Sequence, residues 1–270
     1  MTLTTIDGHL KWQADELTID KLTANAYQGT VQIEKTHINP LKQTISSQIA
    51  IKGLQIADLL AALKQPPLLT GKFYGHLSFA SSGKSLPDFK KNLIGRLTID
   101  LQQGKIISLD LDGITAAFKE LAQKKRHFSD YLRSGLDILQ KQPNFNSKNT
   151  PFDFIESEFK LKNGLATTSK ILIKTKQFSV LGQGAIDYIT NQLNFKLLTS
   201  LFQPPADLKK ILDTLNGGIP IIIKGSTSRP KLQLDYPKVI KALQQNWLPQ
   251  QDKLLNQSIQ KLQKALPFKF

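Results

Sequence analysis

Apolar and polar residues alternate with a period of two in one short run after another along this chain. A period of two puts successive side chains on opposite faces of a strand. The pattern is plain in Leu17-Thr18-Ile19, Val31-Gln32-Ile33 and Ile45-Ser46-Ser47-Gln48-Ile49-Ala50-Ile51. It continues in Phe73-Tyr74-Gly75-His76-Leu77-Ser78-Phe79 and Leu97-Thr98-Ile99-Asp100-Leu101. It resumes in Phe159-Lys160-Leu161, Ile171-Leu172-Ile173, Val180-Leu181-Gly182, Leu193-Asn194-Phe195-Lys196-Leu197 and Leu232-Gln233-Leu234. Each run puts apolar side chains on one face and Lys, Thr, Gln, Asn or Asp on the other. Turn residues separate the runs at Gln28-Gly29, Asn39-Pro40, Gln103-Gly104, Asn163-Gly164, Thr190-Asn191 and Ser228-Arg229-Pro230. Strands this frequent with links this short predict a long antiparallel meander.

Helical patterns interrupt the strands at a few places. Ile56 to Leu63 reads as a short apolar helix ended by Pro66-Pro67, and Ser85 as the N-cap of a helix with Pro87 in its first turn. Residues 112–140 carry Ile114, Phe118 and Leu121, then Phe128, Leu132, Leu136 and Leu139, at helical spacing. They predict a helical hairpin inserted between strands. Ala206 to Leu215 is a further short helix, stopped by Asn216-Gly217-Gly218. An amphipathic helical tail is expected over 237–270. The fold class is thus mainly β (α+β): a long curved antiparallel sheet with an open groove over 1–236, an insert at about 112–140, and the tail. The strands before and after the insert form either one domain or two β halves of one continuous sheet.

The 270 residues suffice for a real core, and 40% hydrophobic with 21% charged residues marks a folded chain. No apolar run reaches the ~18 residues of a bilayer-spanning helix. The start, with an early Asp7, lacks a signal-peptide pattern, so any membrane-crossing segment is expected outside this chain. There is no cysteine, which excludes thiol catalysis, disulfides and Cys-type zinc sites. A net charge of +15 calls for an anionic partner, either nucleic acid or a membrane surface. Only four of the 36 basic residues are arginine (Arg96, Arg126, Arg133, Arg229), and the lysines are spread along the chain. Nucleic-acid readers lean on arginine forks, so solvated lysines on outward strand faces fit the pattern better.

No catalytic or metal-binding constellation emerges. His9, His37, His76 and His127 lie far apart, without ligand partners at helical or strand spacing. Gly83-Lys84-Ser85 ends like a phosphate loop, but Ser78 stands where its first glycine belongs. Gly182-Gln183-Gly184 falls mid-strand and marks a close backbone approach. Asp110 and Asp112 precede a helical run, where Asp112 reads as a cap, and Glu156 and Glu158 share a polar strand face. Neither a nucleophile with its base nor a cofactor motif is found.

Four segments together resemble one family. Leu17 through Gln28-Gly29 is similar to the strand and "ALYGG" turn of AsmA-family C-terminal regions, with Gln28 in place of a second glycine. Gly95-Arg96-Leu97 through Gly104-Lys105-Ile106 to Asp110-Leu111 resembles the family's strand–glycine–strand run into a helix. Thr150-Pro151-Phe152, Asn163-Gly164 and Val180-Leu181-Gly182-Gln183-Gly184-Ala185-Ile186-Asp187 form the third piece. Ile219-Pro220-Ile221-Ile222-Ile223-Lys224-Gly225 with Arg229-Pro230 is the last. The resemblance covers about 17–236 and leaves the tail outside.

The resemblance implies a non-enzymatic protein at the periplasmic face of the inner membrane of a Gram-negative envelope, held by an N-terminal anchor outside this chain. It implies a link to outer-membrane protein assembly and, through larger relatives, to phospholipid movement along apolar β-grooves. The groove candidates are Leu97, Ile99, Leu101, Phe159, Leu161, Ile171, Ile173, Phe195 and Leu197. The expected partners are a phospholipid or other acyl lipid and outer-membrane assembly proteins, with no nucleic acid, no cofactor and no metal. In a second reading the chain's own helices pack the apolar face and it serves as an assembly scaffold. The third, a basic nucleic-acid-binding β-protein, rests on charge alone.

Overall fold

The computed structural model describes residues 4–113, 116, 148–204, 206–235 and 237–239. Twelve strands among them form one open antiparallel sheet in strict sequence order. They are β1 (Thr4–Gln13), β2 (Glu16–Ala26), β3 (Gly29–Asn39), β4 (Thr44–Gln55), β5 (Lys72–Ser82) and β6 (Ile94–Ile106). After the insertion come β7 (Thr150–Lys162), β8 (Leu165–Lys174), β9 (Phe178–Asp187), β10 (Gln192–Leu201), β11 (Ile219–Ser226) and β12 (Arg229–Leu234). Short helices connect strands at their ends: α1 (Ile56–Ala62), α2 (Leu86–Asn92) and α3 (Ala206–Thr214). The mainly β, open antiparallel fold is as the alternation predicts. β6 pairs directly with β7, Leu97 facing Phe159, so the strands on either side of the insertion join one sheet. The expected helical insert and tail lie outside the described residues, apart from helical turns at 111–113 and 237–239.

Two strands escape the list of alternating runs. β11 carries Ile221-Ile222-Ile223 without alternation, because Pro220 and Ile221, on opposite faces, are both buried there. In β1 the face-sharing residues are Ile6, Gly8, Leu10 and Trp12, and the glycine blurs the pattern.

Turn chemistry holds at most links and shifts at others. Asn163 (φ 52°) and Gly164 (φ 80°) form the two-residue β7–β8 turn in the left-handed region that such hairpins need. The β2–β3 turn is centred on Tyr27 (φ 49°) and Gln28 (φ 62°), one residue earlier than Gln28-Gly29. Gly29 instead lies flush against β4, where a Cβ would strike the Lys52 carbonyl oxygen and the Leu54 amide. Gln103-Gly104 is not a chain reversal: Gln103 (φ 53°) is a kink inside β6, and Gly104 lets the Thr70 strand-edge segment pack against it. The β11–β12 turn falls at 227–228, just before Arg229-Pro230. α2 begins as expected, with the Ser85 hydroxyl accepting from the Asp88 amide and the Asp88 carboxylate accepting from the Ser85 amide.

Register slips show where the sheet bends. One extra residue sits in β2 near Asp20, in β3 at Lys35 (φ 48°), in β4 at Gly53 (φ 69°) and in β8 between Thr168 and Ile171. Each bulge adds local right-handed twist and bends its strand. Three of the four lie in β2–β4 and the fourth in β8.

Candidate functional site

Residues paired directly across an antiparallel ladder share a face. Following the pairings gives one transverse row through all twelve strands. It runs Ile6, Ala24, Val31, Ile51, Gly75, Ile99, and then Ser157, Ile171, Gly182, Leu197, Ile221 and Leu234. Eleven of the twelve are apolar residues or glycine, and the only hydroxyl, Ser157, bonds Thr168 at 3.0 Å. The neighbouring rows are equally apolar: Leu22–Ile33–Ile49–Leu77–Leu97–Phe159 on one side, Phe73–Leu101–Ile155–Ile173–Val180 on the other.

All nine candidate residues lie on this face. Leu101, Phe159, Leu161, Ile173, Phe195 and Leu197 are buried; Leu97, Ile99 and Ile171 are half-buried. The face extends well beyond them. Ile33, Ile49 and Leu77 carry the same parity in the sequence, and with the β1 residues they widen it to the first edge of the sheet.

Burial along the face is graded. Over β7–β12 it is largely buried: Val180 and Ile219 are 0% exposed, and Leu212 and Leu215, at the C-terminal end of α3, join the same buried cluster, while Ile171, Leu193 and Ile223 stay half-buried. Over β2–β5 most side chains, such as Leu22, Ile33, Ile49 and Leu77, are half-exposed. At β1 the same face lies open, with Ile6 61%, Leu10 62% and Trp12 62% exposed. Of the described helices beside this half, α1 packs against β4 and α2 against β5, and Ile56, Leu59 and Leu60 of α1 join the apolar core cluster.

Several buried polar groups find hydrogen-bond partners, which lowers the cost of burying them. Thr36 and Ser47 pair at 2.7 Å beside the β3 bulge. Thr150, 1% exposed, accepts from the Leu111 amide at 3.1 Å and donates to the Leu109 carbonyl. It ties the exit of β6 to the start of β7. The acid that caps the helical turn at 111–113 is Asp110, whose Oδ1 accepts from the Gly113 amide at 2.7 Å, and not Asp112. The turn begins two residues earlier than the sequence suggests, so Asp112 falls inside it and points to solvent.

The opposite face is mostly polar, apart from the row Leu172–Leu181–Leu198–Pro220 over β8–β11. Lys160, Lys174, Lys196 and Lys224 are exposed on it, and Arg96 reaches Glu158 at 3.1 Å. An open depression at the β8 bulge is lined by Glu156, Glu158, Lys160, Thr167 and Lys170 together with Ile99 and Leu172. Among the described residues no cluster of three His, Asp or Glu side chains can hold a metal ion, and no helix is long and apolar enough to cross a membrane.

A family model described as the AsmA family matches residues 1–171. The match spans β1 through most of β8, and the later segments of resemblance, from Val180 on, lie beyond it. No curated protein and no solved structure matches the chain.

Proposed function

This chain belongs to the AsmA family, and on that premise we propose that it is a non-enzymatic cell-envelope protein that holds phospholipid acyl chains on its apolar sheet face. The family is an envelope family associated with lipid transport and membrane biogenesis. The observation that carries the reading is the graded face: an apolar surface twelve strands wide, half-exposed over β2–β5 and open at β1. An acyl chain laid along it gains ~0.8 kcal/mol per buried CH₂ without needing a directional polar contact. Sheet curvature turns such a face into a trough, and lysines on its outer side and rim favour anionic headgroups. In this reading the protein works at the periplasmic face of the inner membrane and supports outer-membrane lipid homeostasis and protein assembly.

One observation favours a second role. The face over β7–β12 is largely buried, down to 0% exposure at Val180 and Ile219. A sheet packed in this way suits a scaffold that binds outer-membrane assembly proteins and carries no lipid. Native mass spectrometry of the purified chain separates the two. Copurified phospholipid, or uptake of a fluorescent phospholipid, supports lipid holding. A lipid-free protein that refuses the fluorescent probe and retains an assembly protein in pull-downs supports the scaffold.

A further inference from the structure

Three of the exposed large hydrophobics outside the apolar sheet face gather at one place, while Leu63, Leu165, Leu181, Ile189 and Phe202 lie elsewhere. Leu41 and Leu86, the two most exposed large hydrophobics at 73% and 69%, sit in neighbouring connections at the same end of the strands. Leu41 lies in the β3–β4 turn, and Leu86 opens α2 in the β5–β6 connection. The Gly83 amide donates to the Gln43 carbonyl at 3.0 Å, which joins the two connections. Ser81 donates to the Phe89 carbonyl at 2.6 Å and Asn92 to the Ser82 carbonyl at 2.9 Å, which fix α2 onto the end of β5. Ile94, 53% exposed, follows directly after α2. The leucines are therefore held out in solvent by a braced platform, not by a loose loop.

The charge next to them is mostly basic; the neighbouring strand-end acids are Asp15 in the β1–β2 turn and Glu16, which pairs with His37 at 3.0 Å. Lys42 follows Leu41, Lys84 precedes Leu86, and Lys90 and Lys91 end α2; all four are exposed. None forms an ion pair with a described residue. The acid within the helix, Asp88, is engaged in the Ser85 capping box. Protruding leucines in a ring of lysines match the two terms of peripheral membrane binding: apolar insertion at the headgroup boundary and attraction to anionic lipid. A protein partner for this patch would need acids and an apolar pocket together, whereas an anionic bilayer supplies both over any area.

We propose that this strand-end platform, with Leu41 and Leu86 as wedges and Lys42, Lys84, Lys90 and Lys91 around them, docks the protein on an anionic phospholipid bilayer. The surface is separate from the apolar sheet face and does not depend on lipid being held there. It would set the rim of the trough against the membrane.

Co-flotation of the full chain with phosphatidylcholine vesicles, with and without about 30 mol% phosphatidylglycerol, tests this. The expected result is binding to the anionic vesicles that weakens with added salt, as screening shortens to about 8 Å at physiological ionic strength. The quadruple charge reversal K42E/K84E/K90E/K91E should lower that binding at least about tenfold, and L41S/L86S should lower it comparably. All six positions are exposed, so circular dichroism and melting should stay as in the parent. Unchanged vesicle binding in both variants overturns the proposal, as does a parent chain that ignores anionic vesicles. Lipid carried by the purified variants, read by mass spectrometry, reports on the sheet face alone. A lipid-free chain that still binds vesicles through these residues refutes the holding role and leaves the docking surface standing.

Discussion

The ring of Phe195 on β10 lies directly over Gly184 on β9, its cross-strand partner. A Cβ at Gly184 would strike the ring and the Asn194 carbonyl, and Leu197 covers Gly182 in the same way two residues on. The glycines are missing side chains on the apolar face, and the larger residues of the next strand fill the space. Gly184→Ala and Gly182→Ala should each destabilise the fold by about 1–3 kcal/mol through overpacking. Urea denaturation measures this; an unchanged midpoint would mean that Phe195 repacks freely.

The open half of the face should respond to polarity differently from the largely buried half. Ile49→Asn with Leu77→Asn places polar groups where side chains are half-exposed, so the fold should survive while bound phospholipid falls severalfold. Phe178→Ala, at 2% exposure, should instead cost about 3–5 kcal/mol of stability. Lipid per protein by mass spectrometry, beside the melting temperature, separates the two effects.

Thr199 sits in the largely buried half between Val180 and Ile219, 1% exposed, and its hydroxyl has no partner among the described residues. A buried hydroxyl without a bond is a standing cost. Thr199→Val should raise stability, by roughly 1 kcal/mol. A loss in the same urea experiment would show that the hydroxyl is satisfied after all.

The α2 cap should be sensitive to acid. The hydrogen bond from the Ser85 side chain, above all, holds the Asp88 carboxyl below the usual carboxylate range, with burial opposing it. A depressed folded pKa means that the carboxylate's contribution is complete above its unfolded value, about 4, and fades as pH falls through the lower folded value. Protection of the α2 amides, taken relative to their intrinsic exchange rate at each pH, should therefore be flat from neutral pH to about 4 and fall below it. Ser85→Ala should move the Asp88 titration, followed by NMR, back toward the ordinary range.

Asp187 behaves similarly at the β9–β10 turn. Its Oδ1 accepts from the amides of Ile189 and Thr190, both at 2.9 Å, and the bond from Thr190 leads in lowering its pKa. Asp187→Asn keeps an acceptor but loses the charge. The turn should hold at neutral pH, and the mutant's stability should lose the acid dependence that this carboxylate contributes. Melting temperatures of the two proteins between pH 3 and 7 test it.

The period-two parity determined by itself which residues share a face. Parity is a property of the extended backbone, so Leu97, Ile99, Leu101, Phe159 and Leu161 fall together whatever surrounds them. The capped start of α2 at Ser85 was legible for the same reason, since a capping box is closed within a few residues. Other features needed partners distant in sequence. That β6 and β7 join across the insertion, and that Gln103 kinks a strand where a turn was expected, depends on Phe152, Phe159 and Thr70 lying alongside. Gly29 is required by β4 and not by its own turn. Above all, parity is silent on what stands over a face. Only the assembled sheet sets Ile6 at 61% exposure and Ile219 at 0%, because burial is a relation between strands and their neighbours, not a property of a strand.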